Sequence, residues 1–169
     1  MTFPNDGRRD FDFHIRPRLI HNRRLARRLE GCTEWLEFEA TQEAHHILGG
    51  LGNVDSYDAP TFPGGPVIGM SLRLFDPRTR LWSIYWSDDR AVVLQPPVVG
   101  RFENGRGEFF GDDVHEGTPV RCRYLWTDIT PTSARWEQAF STDGGATWEV
   151  NWIMEMVDRA RRSAPPAAL

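Results

Sequence analysis

The fold is decided by one stretch of sequence, which reads VIGMSLRLF at 67–75, DPRT at 76–79 and, after one arginine, LWSIYWSD at 81–88. Apolar side chains occupy every second position of the first segment, which is typical of a half-buried strand. Proline suits the second position of a type I turn, so the middle segment joins two antiparallel strands. The apolar face of the first strand, which we expect to point inward, consists of Ile68, Met70, Leu72 and Leu74.

The same pattern recurs along the chain. Further predicted strands cover residues 34–48, 53–58, 98–103, 108–112, 118–128, 134–141 and 147–157. Turn residues such as Asn104-Gly105 and Asp143-Gly144-Gly145 separate them. Consecutive tight hairpins favour a closed barrel over a two-sheet sandwich, because sandwiches usually need longer Greek-key links. We therefore predict an all-β fold, an antiparallel up-and-down barrel of about eight to ten strands.

The length of 169 residues fits a single domain. We expect the barrel to span residues 11–158, with flexible ends at 1–10 and 159–169. No stretch is long and apolar enough to span a membrane, and the first ten residues lack the apolar centre of a signal peptide. These features predict a cytoplasmic protein with no membrane partner.

The net charge of −4 argues against a nucleic-acid partner, because the chain would repel a phosphate backbone. All 20 basic residues are arginine, which excludes a catalytic lysine. The basic stretch from Arg16 to Arg28 is interpreted as a solvated strand and turn rather than an anion-binding patch. Cys32, Cys122 and the histidines show no metal-ligand spacing, so we expect free thiols, no metal and no other cofactor.

The predicted interior is unusually aromatic, and six of the seven tryptophans have inward parity if the more apolar face of each strand points inward. Two interpretations stay open. The rings either fill a closed core, as in many small barrels, or leave a cleft suited to a small apolar or planar ligand. The inward set is Leu36, Phe38, Met70, Leu72, Trp82, Ile84, Trp86, Val120, Tyr124, Trp126, Trp136, Phe140, Trp148, Trp152 and Met154.

The candidate ligand-binding residues combine these rings with the few polar side chains of the same parity. They are Gln42, His46, Met70, Trp82, Trp86, Tyr124, Trp126, Trp136, Gln138 and Trp152. His46 is also the candidate catalytic residue, because a solvated imidazole titrates near neutrality. Carboxylates such as Glu37 and Glu39 have outward parity and predict no acid–base pair.

The leading functional hypothesis is a protein that binds a small apolar or planar molecule inside the barrel. The alternative is a cofactor-independent enzyme, a cyclase or isomerase, that holds an apolar metabolite in a reactive conformation in the same cavity. A protein interaction module is disfavoured, because the outward strand faces are charged. A homodimer stays open.

One local motif, STDGGATW at 141–148, resembles the Asp-box of sialidases and other propeller proteins. In those families the aspartate binds turn amides and shapes a hairpin. Propellers repeat their blades at a period of roughly 40 to 50 residues, whereas this chain carries one copy. We interpret the motif as a structural turn.

Three groups of residues point to a family. They are Phe11-Asp12-Phe13, then Leu74-Phe75-Asp76-Pro77 with Trp82 and Trp86, then the C-terminal third from Leu125 through Trp136 to Trp152. Together they resemble an uncharacterised bacterial family of calycin-like, or lipocalin-like, barrels. The resemblance covers nearly the whole chain and implies a small apolar ligand by analogy, but no settled activity or catalytic residue.

The chain departs from that family directly after Phe13. Relatives continue with a Gly-x-Trp strand start, whereas this sequence continues from His14 to Leu19. Without that tryptophan, either the closed end of the barrel opens or Arg18 takes its place. Haem-binding barrels of similar shape use a histidine near the C-terminus, and no histidine follows His115, so haem is disfavoured.

Overall fold

Ten antiparallel strands form one closed barrel in which the last strand pairs with the first. The structure is a computed structural model, and it describes residues 6–159. The strands are β1 (Pro17–Leu25), β2 (Trp35–Ile47), β3 (Gly52–Ala59), β4 (Val67–Asp76), β5 (Leu81–Asp88), β6 (Val98–Glu103), β7 (Arg106–His115), β8 (Thr118–Thr127), β9 (Ser133–Ser141) and β10 (Glu149–Asp158). Each strand pairs with its neighbours in sequence, which confirms the predicted all-β, up-and-down barrel and is consistent with a calycin-like fold.

The turns follow from local residue chemistry. Asn104 and Gly105 have φ values of 52° and 75°, as a two-residue type I′ hairpin requires. In the Asp-box segment the Asp143 carboxylate accepts hydrogen bonds from the Thr147 amide and hydroxyl. Those bonds hold the pKa of Asp143 well below its usual range. The motif is the structural turn that the sequence predicted.

An aromatic cluster closes one end of the barrel. The segment before β1, which includes a short 3₁₀ helix at Asp12–His14, places Phe11 at its centre. The Phe11 ring lies 5.0 Å from Trp82 and 4.9 Å from Phe102, both edge to face. The floor cluster consists of Phe11, Phe13, Trp82, Phe102, Phe109 and Trp126. These rings close this end of the barrel.

Arg18 is fully buried beside this floor. Its guanidinium donates to the Phe13 carbonyl (2.5 Å) and to Asp158 (2.8 Å). Trp82 Nε1 donates to the Gly7 carbonyl, so residues just before Asp10 also contact the floor. Residues 1–5 and 160–169 of the predicted flexible ends lie outside the described residues.

Strand β4 turns its apolar face outward, which corrects the sequence-based orientation. Its buried positions are Val67, Gly69, Ser71, Arg73 and Phe75. Ile68 is 59% exposed, and Met70, Leu72 and Leu74 are half-buried on the outer surface. The inner face carries small and polar residues because a neighbouring ring already fills the space: a Cβ on Gly69 would overlap the indole of Trp86.

The pairing between β5 and β6 is the shortest of the barrel. It joins Trp82, Ser83 and Ile84 to Gly100, Val99 and Val98. Beyond Ile84, β5 continues without a partner from β6, and the Gln95 amide donates to the Trp86 carbonyl instead. Of the elements described, none is a helix long and apolar enough to cross a membrane.

Candidate functional site

A space of about 90 Å³, the inner cavity, lies in the barrel above the floor cluster. Every strand except β1, β6 and β7 contributes a side chain to it. Its walls are Gln42, Tyr57, Ser71, Arg73, Ile84, Trp86, Tyr124, Trp126, Trp136, Gln138, Trp152, Met154 and Met156. The interior is therefore neither packed solid nor an open tube.

The rings of the cavity wall hold one another in place. The Trp136 ring packs edge to face on Tyr124 at 4.9 Å and on Trp152 at 5.9 Å. Tyr57 packs against Trp86 at 5.6 Å across the cavity wall. Because edge-to-face pairs fix both distance and angle, this wall is a preorganised aromatic surface.

Two buried asparagines, Asn22 and Asn151, accept hydrogen bonds from polar side chains of the cavity wall. Asn22 accepts hydrogen bonds from Tyr57 and from Trp152 Nε1, both at 3.0 Å. Asn151, at the bulge of β10, accepts from Gln138 at 2.8 Å. Three atoms of lining residues have no hydrogen-bond partner among the described residues: the acceptor Gln42 Oε1 and the donors Arg73 Nε and Trp126 Nε1. They are available to a polar group of a bound molecule.

A buried ion pair lies where the inner cavity meets the floor. The guanidinium of Arg73 is 2.6 Å from Asp55 and donates to Asn53 at 3.0 Å. Asp55 also accepts the Ser71 amide at 3.0 Å and lies 3.6 Å from His14. Burial alone would raise the pKa of Asp55, but the charge of Arg73 and the hydrogen bonds hold it well below its usual range.

His14 is fully enclosed in this floor and is neutral at pH 7. Burial is the main cause that lowers its pKa to about 4, and the charge of Arg73 adds to it. Neither ring nitrogen has a hydrogen-bond partner in residues 6–159. Arg73 itself packs on the face of Phe11, with its guanidinium carbon 5.2 Å from the ring centre. The floor charges are therefore paired with each other and with aromatic rings.

Seven of the predicted ligand-binding residues lie together in the cavity wall: Gln42, Trp86, Tyr124, Trp126, Trp136, Gln138 and Trp152. Met70 does not, because β4 has the opposite orientation to the one predicted. Trp82 faces inward but is part of the floor cluster beneath the cavity. Trp148, predicted to face inward, lies outside the barrel, 5.9 Å from Phe110 and under the Arg123 guanidinium.

His46 does not lie at the cavity, which corrects its predicted inward position. It occupies the end of β2 beside the closed floor, where its side chain is 48% exposed and 3.6 Å from Asp12. Its parity matches the inward face, but the strand has already left the interior at that point. The structure gives it no contact with the aromatic rings of the wall.

Sequence reasoning missed four wall residues: Tyr57, Ser71, Arg73 and Met156. Tyr57 and Met156 follow from alternation once the strand ends are known, since each has the parity of buried neighbours in β3 and β10. Ser71 and Arg73 belong to the inner face of β4. A tertiary contact, the Trp86 ring over Gly69, determines that orientation, and no local pattern signals it.

A second space of about 300 Å³, the mouth chamber, opens above the inner cavity at the opposite end from the floor. The two spaces share Trp86, Tyr124, Gln138 and Trp152 as walls. Arg24, Arg28 and Arg90 line the chamber together with Asp88, Asp112 and Asp113. Arg24 therefore faces the interior, which corrects the interpretation of residues 16–28 as wholly solvated.

Other reactive groups are held in unreactive states. Burial raises the pKa of the Cys122 thiol to about 12, so it is protonated at neutral pH. Burial likewise raises the pKa of Tyr57 and Tyr124 far above neutrality. Within residues 6–159 no three His, Cys, Asp or Glu side chains converge as a metal site would need.

Comparisons with known proteins add no family. No family model matches the sequence, and no curated protein matches it closely enough to count as a relative. The functional argument therefore depends on the geometry of the inner cavity and the mouth chamber.

Proposed function

We propose that this protein binds a small, flat and mostly apolar molecule inside the barrel. The supporting observation is an internal cavity lined by rings from four different strands, carried by Trp86, Tyr124, Trp136 and Trp152. A wall of large rings with few polar groups is typical of sites that bind planar apolar ligands.

The volumes indicate how such a ligand lies. A cavity of roughly 150 Å³ holds a benzene molecule, so the inner cavity of about 90 Å³ does not enclose a larger aromatic body alone. The mouth chamber adds about 300 Å³ and shares four wall residues with the inner cavity. The ligand would therefore occupy the chamber and extend one end past Trp152 toward Gln42.

The enzymatic alternative has less support from the cavity wall. Among the described residues that line the inner cavity there is no histidine and no carboxylate. The phenols of Tyr57 and Tyr124 stay protonated at neutral pH because burial raises their pKa. A cyclase or isomerase in this space would act by holding its substrate in a reactive conformation rather than by transferring protons.

The test compares two tryptophan substitutions with the uncharged fluorescent probe N-phenyl-1-naphthylamine. Trp136→Leu removes an inner-cavity wall, whereas Trp148→Leu removes an indole on the outer surface. We expect wild type to bind the probe, W136L to bind it about five- to tenfold more weakly, and W148L to match wild type. Absence of binding to wild type, or equal weakening by both variants, would contradict the proposal. Melting temperatures of all three proteins identify any variant that fails to fold.

A further inference from the structure

We propose that the ligand carries an anionic group, such as a carboxylate, and that Arg24 and Arg28 bind this group in the mouth chamber. The inference rests on the proposed function and names the chemical class of its ligand. That class is an amphiphilic acid with a planar apolar body and one charged end.

Arg24 is a cation facing the barrel interior without a carboxylate partner. It lies on the inward face of β1, half-buried, and its Nε atom is buried with no hydrogen-bond partner among the described residues. Within residues 6–159 neither Arg24 nor Arg28 lies within 4.0 Å of a carboxylate oxygen. Burying part of a guanidinium without a counter-ion is unfavourable, so an anionic group of a ligand at this position would relieve that cost.

Aromatic rings hold these guanidinium groups in fixed orientations. The guanidinium carbon of Arg24 lies 5.4 Å from the Phe62 ring centre and 5.5 Å from that of Trp152. That of Arg28 lies 5.3 Å from the ring of Phe140. A guanidinium packed on a ring keeps its edge N–H groups free, and this planar fork matches the two oxygens of a carboxylate.

The carboxylates of the chamber are mostly committed elsewhere. Asp88 accepts hydrogen bonds from the amides of Arg90 and Ala91 and from Trp86 Nε1. Asp113 accepts the amide of Val114. Arg90 packs on the Phe62 ring beside Arg24 but donates to the Gly65 carbonyl at 2.6 Å. Asp112 makes no side-chain hydrogen bond among the described residues, and the charges of Glu116, Asp113 and Glu149 act on Arg28 from a distance. None of these carboxylates forms an ion pair with Arg24 or Arg28, which therefore lack a direct counter-ion within the described residues.

The charge of Arg24 and its position beside Trp152 both favour an anion at this site. Burial, followed by the positive charges of Arg28 and Arg90, lowers the pKa of Arg24 to about 10, so it is still charged at pH 7. Trp152 is in contact with Arg24 and is also a wall of the inner cavity. An anion at Arg24 therefore directs the attached apolar body down along Trp152 into the barrel.

The experiment compares two probes that share an aromatic body and differ in charge. They are 8-anilinonaphthalene-1-sulfonate and the uncharged N-phenyl-1-naphthylamine. We expect wild type to bind the sulfonate about tenfold or more tightly than the neutral probe. Arg24→Met should weaken sulfonate binding by about tenfold or more and so remove the advantage of the sulfonate over the neutral probe, because it removes a charge-assisted hydrogen bond but keeps an apolar stem.

Arg23→Met is the matched control, since Arg23 precedes Arg24 and faces outward on the same strand. Arg28→Met lies in the loop after β1 and tests the same idea without altering a strand. Near-ultraviolet circular dichroism establishes that each variant is native before probes are added.

The outcomes separate this inference from the proposed function. If wild type binds the neutral probe, and W136L weakens it, but the sulfonate has no advantage or R23M matches R24M, the anion site is refuted and the cavity stands. If neither probe binds wild type, the proposed function fails and the anion site fails with it. A sulfonate advantage lost in R24M and R28M but kept in R23M supports the inference.

Discussion

The two ends of the barrel use arginine in opposite ways. At the closed end Arg73 is 3% exposed, and its charge is neutralised by Asp55 at 2.6 Å. At the mouth Arg24 is half-buried and has no ion-pair partner among the described residues. Both guanidinium groups pack against aromatic rings. The closed end pairs its buried charge internally, whereas the mouth leaves a cation unpaired, as the proposed anion site requires.

The largest expected effect comes from breaking the pair at the closed end. Arg73→Met leaves Asp55 buried without its counter-ion, which should lower the free energy of unfolding by about 3–5 kcal/mol. Chemical denaturation monitored by tryptophan fluorescence measures the change. Removing both charges in R73M/D55N should recover part of the loss. Glu103→Gln, which breaks an exposed pair with Arg101, should change stability by less than about 1 kcal/mol.

Acid should destabilise the protein through the closed end. The pKa of His14 is about 4 in the folded protein and about 6.5 in the unfolded chain, so the unfolded chain binds more protons between those values. Stability should therefore be intact above pH 6.5 and fall by about 3 kcal/mol as pH drops to 4. Denaturation curves between pH 4 and 7 measure this slope.

His115, at the mouth, is the comparison for His14. Burial also lowers the pKa of His115, but its side chain is partly exposed. H14L should remove most of the slope between pH 6.5 and 4, and H115L should remove a smaller part. Equal slopes in wild type and H14L would show that the floor does not set the acid sensitivity.

An intermediate loss of stability is expected from a substitution at Gly69, which packs against Trp86 between the closed end and the mouth. Gly69→Ala places a methyl group where the Trp86 indole lies, so the ring must move. Overpacking of this kind typically costs about 1–3 kcal/mol. Because Trp86 borders both spaces, its emission and neutral-probe binding should change as well. Ser71→Ala, on the same inner face, removes volume and should leave emission nearly unchanged.

The smallest expected effect has the opposite sign to that of R73M. Arg24→Met replaces a partly desolvated cation by an apolar side chain of similar length. The free energy of unfolding should stay constant or rise by less than about 1 kcal/mol. The melting temperature without ligand checks this. A large loss would mean that Arg24 is structural and that the two ends of the barrel are alike.

Alternation and turn chemistry predict most of the barrel and part of its wall. The hairpins at 76–79 and 104–105 follow from local residues alone, and seven of the predicted wall residues have the parity that alternation assigns. Strand β4 shows the limit. Its most apolar face points outward, because Arg73 has a partner in Asp55 and Gly69 makes room for Trp86.

The other errors concern the ends of strands. His46 has inward parity but lies past the point where β2 leaves the interior, and Trp148 precedes the bulge that resets the register of β10. Alternation says which side of a strand a residue occupies. It does not say where along the barrel the interior ends or where a bulge shifts the register.

The pairing of β5 with β6 is the least extensive contact between neighbouring strands of the barrel. Opening most neighbouring strands breaks a long hydrogen-bonded ladder, whereas here the ladder covers only residues 82–84 and 98–100. Local unfolding requires the least free energy where the fewest backbone hydrogen bonds break. We therefore expect β5 and β6 to separate before any other pair of neighbouring strands. Trp86 lies in the part of β5 that has no partner in β6, and it borders both internal spaces. We therefore expect the lateral opening of the barrel to occur beside Trp86, the residue that borders both internal spaces.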